Sequence, residues 1–311
     1  MDEVKRKYMP KQKRQRNINF EFTKRDFEIL KTINRCRYLN VSLIKKLIFS
    51  ENKSLQSTQR RLKFLYHNQY LNRIKPVMPD NKGDGEYVYV LDQKGVDLLE
   101  ANDMDLYFYS KNKPAKHQFI NHVMDLAKFR INLEIALADN PIIELKRFTC
   151  DFEIKSFTKG LTGRWIYSLY DEVKHPWIEG RTYSVFPDAL IILSGKAETE
   201  FVGFQRLYFV EIDRGTMGLK KIREKILAYY FYLKQGSFRK FGKFNDFKIL
   251  LQTSSKKRAA NIREMLLGQK GAAFVWVTDF QQVSEKSILS EAIWRDWEGK
   301  LRSVLKKGVV D

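Results

Sequence analysis

Cysteine is scarce in this sequence, since the 311 residues contain only two. Cys36 and Cys150 lie far apart without a CxxC motif, which excludes a disulfide framework and a zinc knuckle. Long apolar runs are also absent: Ala189–Leu193 (ALIIL) falls far short of the roughly 18 residues that cross a bilayer. The N-terminus has no apolar segment of the signal-peptide kind. These absences predict a soluble, non-secreted protein of the reducing cytoplasm with no membrane partner.

Acidic residues are in the minority, with 37 Asp and Glu against 57 Lys and Arg, which gives a formal net charge of +20. A content of 43% hydrophobic and 14% aromatic residues excludes a disordered polycation, and the length predicts about two domains. Lys and Arg displace counterions from phosphates, so the excess indicates a polyanionic partner. Positive charge also keeps proteins soluble, and its distribution must decide.

The first 19 residues are strongly basic and lack an apolar period. The basic residues are Lys5, Arg6, Lys7, Lys11, Lys13, Arg14 and Arg16. Such a segment predicts a disordered arm, which either lies along DNA or only aids solubility.

Helical periodicity follows, with Thr23 and Ser54 as caps. The predicted helices are Lys24–Cys36, Val41–Phe49 and Leu55–Asn68. Tyr70–Lys75 and Glu86–Leu91 flank a turn-rich tip and predict a β-hairpin, which a helix over Lys94–Asn102 closes. This order predicts a winged-helix DNA-binding domain over residues 20–112.

The third helix carries polar and basic side chains on its outer face. They are Gln56, Gln59, Arg60, Lys63 and His67. Arg, Lys and Gln reach base edges and phosphates when a helix enters the major groove, and Lys82 in the hairpin tip adds a further DNA contact. Winged helices also mediate protein contacts, but a polar, basic face favours double-stranded DNA.

Helices and strands alternate after a linker near residue 112. The predicted elements are a helix over His117–Ala138, strands over Ile142–Ile154, Ser184–Leu193 and Leu207–Ile212, a helix over Leu219–Lys234, a strand over Phe247–Gln252, a helix over Lys256–Leu267, a strand over Ala272–Val277 and a helix near Ser290–Leu305. This order predicts an α/β domain with a mixed sheet over residues 113–311, and the whole chain is of the α+β class.

Three acids fall at strand ends in this domain. Asp188 begins the second strand, and Glu211 and Asp213 end the third on one face, because side chains alternate along a strand. Such oxygens suit Mg²⁺ or Mn²⁺. Acids at strand ends also cap turns and pair with neighbours such as Arg214.

The sequence resembles the replication-relaxation family over about residues 20–235. The resemblance is carried by the predicted winged helix, His117–His122 (HQFINH), Phe186–Leu193 (FPDALIIL) and Phe209–Tyr230 (FVEIDRGTMGLKKIREKILAYY). It implies a role in the replication, relaxation or transfer of a plasmid or mobile element, with replication or transfer proteins as partners.

The α-β-β-β-α-β order with PD and ExD also resembles the PD-(D/E)xK nuclease superfamily, whose pattern maps onto Asp188, Glu211 and Asp213. The resemblance implies a metal-dependent nuclease, but Asp213 stands where that superfamily has lysine. The next helix offers Lys220, Lys221 and Lys225 instead, and Lys221 is the predicted substitute. Glu134 is a candidate for a further metal ligand or a solvated helix residue.

The segment 155–183 interleaves aromatic and basic residues. They are Trp165, Tyr167, Tyr170 and Trp177 with Lys159, Arg164, Lys174 and Arg181. The combination fits either stacking on bases or a β-hairpin inserted in the sheet. His117 and His122 lie five positions apart and are predicted to be structural, and no P-loop or nucleophile motif occurs.

The sequence thus predicts a DNA-binding accessory protein of a plasmid or mobile element. A metal-dependent endonuclease that uses Asp188, Glu211, Asp213 and Lys221 is the first alternative, and a transcriptional regulator is the second. A homodimer remains open.

Overall fold

The structure is a computed structural model of the chain, and it describes Arg14 and residues 20–51, 54–75, 85–107, 117–156 and 166–305. The chain divides into two compact units, Met1–Pro114 and Ala115–Asp311. The predicted basic arm falls outside the described residues except for Arg14, which pairs with Asp92. Within the described ranges, no helix combines the length and apolar character needed to cross a membrane.

The described residues of the first unit form four helices and a small antiparallel sheet. Its elements are α1 (Lys24–Cys36), β1 (Leu39–Asn40), α2 (Val41–Ile48), α3 (Leu55–His67), β2 (Leu71–Ile74), β3 (Val88–Leu91) and α4 (Gln93–Glu100). The strands are ordered β1-β3-β2, with both pairings antiparallel. The predicted helices and the β2–β3 hairpin are confirmed to within two residues at each helix end.

The start of α1 is fixed by a reciprocal cap. The Thr23 side chain accepts a hydrogen bond from the Asp26 backbone N–H, and the Asp26 carboxylate accepts one from the Thr23 backbone N–H at 2.7 Å. Asp26 is fully buried, and Arg61 of α3 donates to it from Nε at 2.6 Å. Burial alone would raise the pKa of Asp26, but the hydrogen bonds from Arg61 and Thr23 outweigh it and lower that pKa. This pair ties α3 to α1.

His67 departs from the sequence prediction. It was expected on the outer face of α3, but it is only 8% exposed. Burial and the positive charges of Arg73 on β2 and of Lys63 lower its pKa. The end of α3 packs towards β2, and this removes His67 from the outward face.

The second unit is built on a seven-stranded mixed sheet. Its elements are α5 (His117–Ala138), β4 (Ile143–Cys150), β5 (Ile154–Ser156), β6 (Ile166–Tyr167), β7 (Asp171–Lys174), β8 (Thr182–Val185), β9 (Ala189–Gly195), β10 (Gln205–Asp213), α6 (Leu219–Lys234), β11 (Lys248–Thr253), α7 (Lys256–Leu266), β12 (Val275–Asp279), β13 (Trp294–Arg295) and β14 (Leu301–Arg302). The strand order is β14-β13-β12-β11-β10-β9-β4. The predicted mixed sheet is confirmed, since β10, β11 and β12 run parallel while β9 is antiparallel to β10 and β4.

One face of this sheet packs against α6 and α7 through a core rich in aromatic rings. The Phe209 ring on β10 lies 4.8 Å from that of Phe247 and 5.6 Å from that of Tyr229 on α6. Side chains alternate between the two faces of a strand, so residues 207, 209, 211 and 213 of β10 share this face. Leu207 and Phe209 fill the core, and the two acids follow them at the end of the strand.

The predicted strand over Ser184–Leu193 is divided in two. Pro187 cannot donate a ladder hydrogen bond, and the chain leaves one sheet and enters another around it. β8 pairs with β7 in a separate two-stranded sheet, whereas β9 joins the large sheet. The predicted strand over Ile142–Ile154 is likewise β4 followed by β5.

The helix predicted near Ser290–Leu305 is wrong, because this part of the chain forms β13 and β14. The Asp296 side chain accepts hydrogen bonds from the backbone N–H groups of Glu298 and Lys300, at 3.1 and 2.9 Å. Gly299 adopts a φ of 83° in the same turn. This local bonding competes with a helix, and the fully buried Trp294 holds the strand in place.

Candidate functional site

The outer face of α3 presents four exposed polar or basic side chains. We call Gln56, Gln59, Arg60 and Lys63 the α3 surface. The opposite face buries Thr58, Leu62, Leu65 and Tyr66 in the core of the first unit. The prediction placed these four residues outward, and the structure agrees for each of them. Lys82 lies outside the described residues.

A further cation lies next to α3 and was missed by the sequence analysis. The Arg73 guanidinium on β2 lies 4.1 Å from the centroid of the Tyr66 ring and 4.5 Å from that of Tyr87. Only the strand pairing brings these rings together, so no local signal in the sequence identifies Arg73.

A second group of polar side chains lies in the other unit, where β9, β10, α5 and α6 meet. We call it the acid–lysine cluster, and its members are His122, Asp188, Glu211, Lys225 and Tyr229. Ala189 pairs with Val210, and this register sets Asp188 level with Glu211 on the next strand. The Lys225 ammonium and the Tyr229 hydroxyl both donate to the Glu211 carboxylate.

Asp188 is held from two sides. Its Oδ2 accepts a hydrogen bond from the Ile212 backbone N–H at 2.7 Å. His122 Nε2 of α5 lies 3.3 Å from Oδ1. The sequence predicted a purely structural role for His122, but His122 contacts Asp188 in this cluster. The bend of the chain from β8 into β9 brings Asp188 to α5.

The surroundings of the cluster shift the pKa values of its members. Burial and the nearby Asp188 raise the pKa of Glu211, Lys225 and Tyr229 work against the rise, and the net result is a pKa of about 7. Asp188 behaves differently: burial would raise its pKa, but Lys225 and His122 lower it overall. Burial would lower the pKa of His122, but its contact with Asp188 raises it. At neutral pH the site therefore holds an ionised Asp188 beside a carboxyl group poised to gain or lose a proton.

Asp213 does not join this cluster. Its Oδ2 accepts hydrogen bonds from Thr253 Oγ1 at 2.6 Å and from Arg258 Nε at 2.9 Å, and its Oδ1 accepts one from the Gly215 N–H at 3.1 Å. In the described parts of the chain, no three or more His, Cys, Asp or Glu side chains form a group that could hold a metal ion. The expected three-acid metal site is therefore not formed, because Arg258 of α7 engages Asp213.

The other expected ligands and partners also differ. Glu134 pairs with Arg130, one turn away on α5, at 2.8 Å. Arg214 pairs with Asp125 of α5 rather than with Asp213. Asp188 and Glu211 remain as two adjacent carboxyl groups, a set that suits a Mg²⁺ ion retaining several waters.

The lysine at the cluster is Lys225 and not Lys221. Lys220 and Lys221 are both exposed, whereas Lys225 is partly buried and contacts Glu211. Lys225 and Tyr229 are four residues apart and so share one face of α6. This spacing is visible in the sequence, but the rotation of α6 that aims this face at Glu211 is not.

These features define an α+β protein with a helical unit that exposes a basic helix face and a mixed-sheet unit that contains a buried acid–lysine cluster. The chain matches the family model described as Replication-relaxation over residues 30–246, and it belongs to that family. The family associates the chain with replication or relaxation.

No curated protein matches the chain. Among solved structures it is similar to one described as the structure of restriction endonuclease FokI, with 9% identity and a TM-score of 0.29. The match covers 83% of this chain and 42% of that chain, so the protein spans less than half of that structure.

Proposed function

We propose that this protein is a DNA-binding accessory protein that acts in the replication, relaxation or transfer of a plasmid or mobile element. In this proposal its first unit is a winged helix that recognises duplex DNA. The observation that carries the proposal is the α3 surface, which is polar and basic throughout on a helix whose other face is buried.

The α3 surface has the charge that a duplex requires. The sequence of α3, LQSTQRRLKFLYH, contains no acidic residue that would repel phosphates. Its 13 residues span about 20 Å, which fits along the major groove. Arg and Lys contact guanine and phosphates, and Gln contacts adenine, so the four side chains supply the donors that base readout uses.

The α3 surface is also held in place before DNA arrives. Arg61, the neighbour of Arg60, is occupied by the buried Asp26 and by the backbone oxygen of Glu21 at 2.7 Å. The Arg60 guanidinium lies 5.8 Å from the Phe64 ring centroid. A preorganised helix loses less conformational entropy on binding, and this supports recognition by α3.

The double variant Arg60→Ala/Lys63→Ala tests this proposal. Duplex fragments that tile the native replication or transfer region are used as probes in gel-shift titrations at fixed salt. We expect the variant to lose at least about tenfold in affinity for the preferred fragment, because each lost base contact removes about 1–3 kcal/mol of discrimination.

Arg25→Ala/Lys94→Ala is the matched control, since it removes the same charge from exposed positions on α1 and α4. The control should bind nearly as wild type does. Equal affinities of the two double variants would refute recognition by α3.

The position of Lys225 beside Glu211 favours a second candidate function, that of a metal-dependent endonuclease. Lys225 of α6 contacts Glu211 and interacts electrostatically with Asp188, and in a nuclease it would take the role of the lysine that position 213 lacks. Asp188 and Glu211 would hold Mg²⁺ or Mn²⁺, which would supply an activated water and neutralise charge on the phosphate. Lys225 would hold the phosphate, and His122 would orient Asp188 through their contact at 3.3 Å.

Supercoiled plasmid that carries the native region tests the second candidate, with Mg²⁺, Mn²⁺ or EDTA present. If the protein is a nuclease, we expect metal-dependent conversion of the plasmid to nicked or linear DNA. The Glu211→Ala and Lys225→Met variants should lose this conversion. Lys221→Met is the matched control and should cleave as wild type does, because its side chain is exposed. Retarded but intact plasmid under all conditions would exclude the nuclease and leave the binding role.

A further inference from the structure

The tip of the β7–β8 hairpin, residues 175–181, exposes a tryptophan. Trp177 is 70% exposed, the highest value among the large hydrophobic side chains of the described residues, and its neighbour Ile178 is 46% exposed. The exposure of such large apolar side chains to water is unfavourable. An exposed aromatic group of this kind at a loop tip indicates an interaction surface.

The tip is anchored rather than loose. His175 Nδ1 accepts hydrogen bonds from the backbone N–H groups of Trp177 at 3.2 Å and of Ile178 at 3.1 Å. The His175 backbone N–H donates to the Arg181 carbonyl oxygen at 2.7 Å, which closes the loop. The His175 ring in turn packs against Tyr183 and against Phe231 of α6, with centroid distances of 5.8 and 5.2 Å. The tryptophan is therefore presented on a fixed support.

Positively charged side chains lie at the exposed ring and elsewhere on the hairpin. The Lys270 ammonium lies 4.8 Å from the centroid of Trp177, and the Arg181 guanidinium lies 5.1 Å from that of Tyr183. Lys174 is also exposed, and Glu179 is the one acidic residue of the tip. An exposed aromatic ring flanked by cations complements a polyanion that carries flat, unpaired bases.

We infer that this tip is a binding platform for single-stranded DNA, in which Trp177 stacks on a base while Lys270 and Arg181 contact the adjacent phosphates. Inside a duplex each base face is covered by its neighbours, so an unpaired strand offers Trp177 open faces along its length, whereas a duplex offers them only at its ends. The tip belongs to the second unit and α3 to the first, and the inference goes beyond the recognition of duplex DNA.

The platform and the acid–lysine cluster share a support. Phe231, on which His175 and Trp177 pack, is six residues beyond Lys225 on α6, which corresponds to about 9 Å along the helix. Phe231 and Lys225 lie about 120° apart around α6, so the platform and the cluster share this helix but not one face of it.

Fluorescence anisotropy of a labelled oligothymidylate, titrated with the full chain, tests the inference. We expect Trp177→Ala to weaken binding by about fivefold or more, since stacking of one base on an aromatic ring contributes about that factor or more. Trp177→Phe retains a ring and should keep most of the affinity. Val202→Ala is the matched control, because Val202 is an apolar side chain that is 63% exposed outside the hairpin. This variant should bind as wild type does.

A blunt duplex is titrated in parallel, and circular dichroism melting checks that each variant folds. Selective loss of oligothymidylate binding in Trp177→Ala, with duplex binding retained, supports the platform. No binding of oligothymidylate by wild type, equal binding by Trp177→Ala, equal loss in Trp177→Phe, or equal loss for both DNA forms would overturn it.

Discussion

Glu211 is a carboxylic acid held almost entirely out of water beneath α6. It is 6% exposed, and both of its oxygens accept hydrogen bonds, one from Lys225 and one from Tyr229. Burial raises its pKa from 4.5 to about 7, because the ionised form loses its hydration. The cluster therefore responds to protons near neutral pH, whichever chemistry it performs.

This raised pKa predicts a pH-dependent stability. Between pH 4.5 and about 7 the folded protein keeps a proton on Glu211 that the unfolded chain releases, so the free energy of unfolding falls as pH rises through this range. We expect a loss of about 2–3 kcal/mol relative to Glu211→Gln, which cannot titrate. Urea unfolding in EDTA at several pH values measures the difference.

Glu224→Gln serves as the control for this measurement, because Glu224 is exposed on α6, the helix that supplies Lys225 and Tyr229 to Glu211. Its pH profile should parallel that of wild type. If Glu211→Gln also runs parallel to wild type, then Glu211 titrates normally and the proposed protonation of the cluster is wrong.

Elements with local caps and strong periodicity could be predicted from the sequence. The bounds of α1, α5 and α6 agree with the sequence prediction at both ends. Thr23 caps α1, and the 3.6-residue apolar period marks the other two helices. β8 and β9 could not be separated in this way, because an apolar run does not show which of two sheets each half joins.

Gly95 of α4 gives a prediction at this scale. A Cβ atom at this position would lie 2.3 Å from the backbone oxygen of Tyr70, which cannot move without shifting the start of the hairpin. Alanine normally stabilises a helix by about 1 kcal/mol relative to glycine. We expect Gly95→Ala instead to lower the free energy of unfolding by about 1–3 kcal/mol, because the site has no room.

Urea unfolding of the full chain measures this effect. Lys94→Ala, at the exposed neighbouring position, should change stability by much less. A Gly95→Ala protein as stable as wild type would show that α4 does not approach Tyr70 this closely.

The net charge of +20 belongs to the whole molecule and predicts a strong salt dependence of DNA binding. If binding releases the counterions of at least about six phosphates, duplex affinity should fall about a thousandfold or more between about 50 and 200 mM NaCl. Anisotropy titrations with a labelled duplex across this range measure the slope. A fall of less than about tenfold would mean that few of these cations contact phosphate, and that the excess mainly serves solubility.

The sequence by itself determined the charge, most of the elements, the α3 surface and the placement of Asp188 and Glu211 at strand ends. These features depend on local periodicity, on caps and on the alternation of side chains along a strand. The tertiary structure alone decided that Arg258 engages Asp213, that Lys225 rather than Lys221 reaches Glu211, and that His122 faces Asp188. Each of these contacts joins residues at least 14 positions apart, and its formation depends on how a helix is rotated and placed on the sheet, which no local pattern specifies.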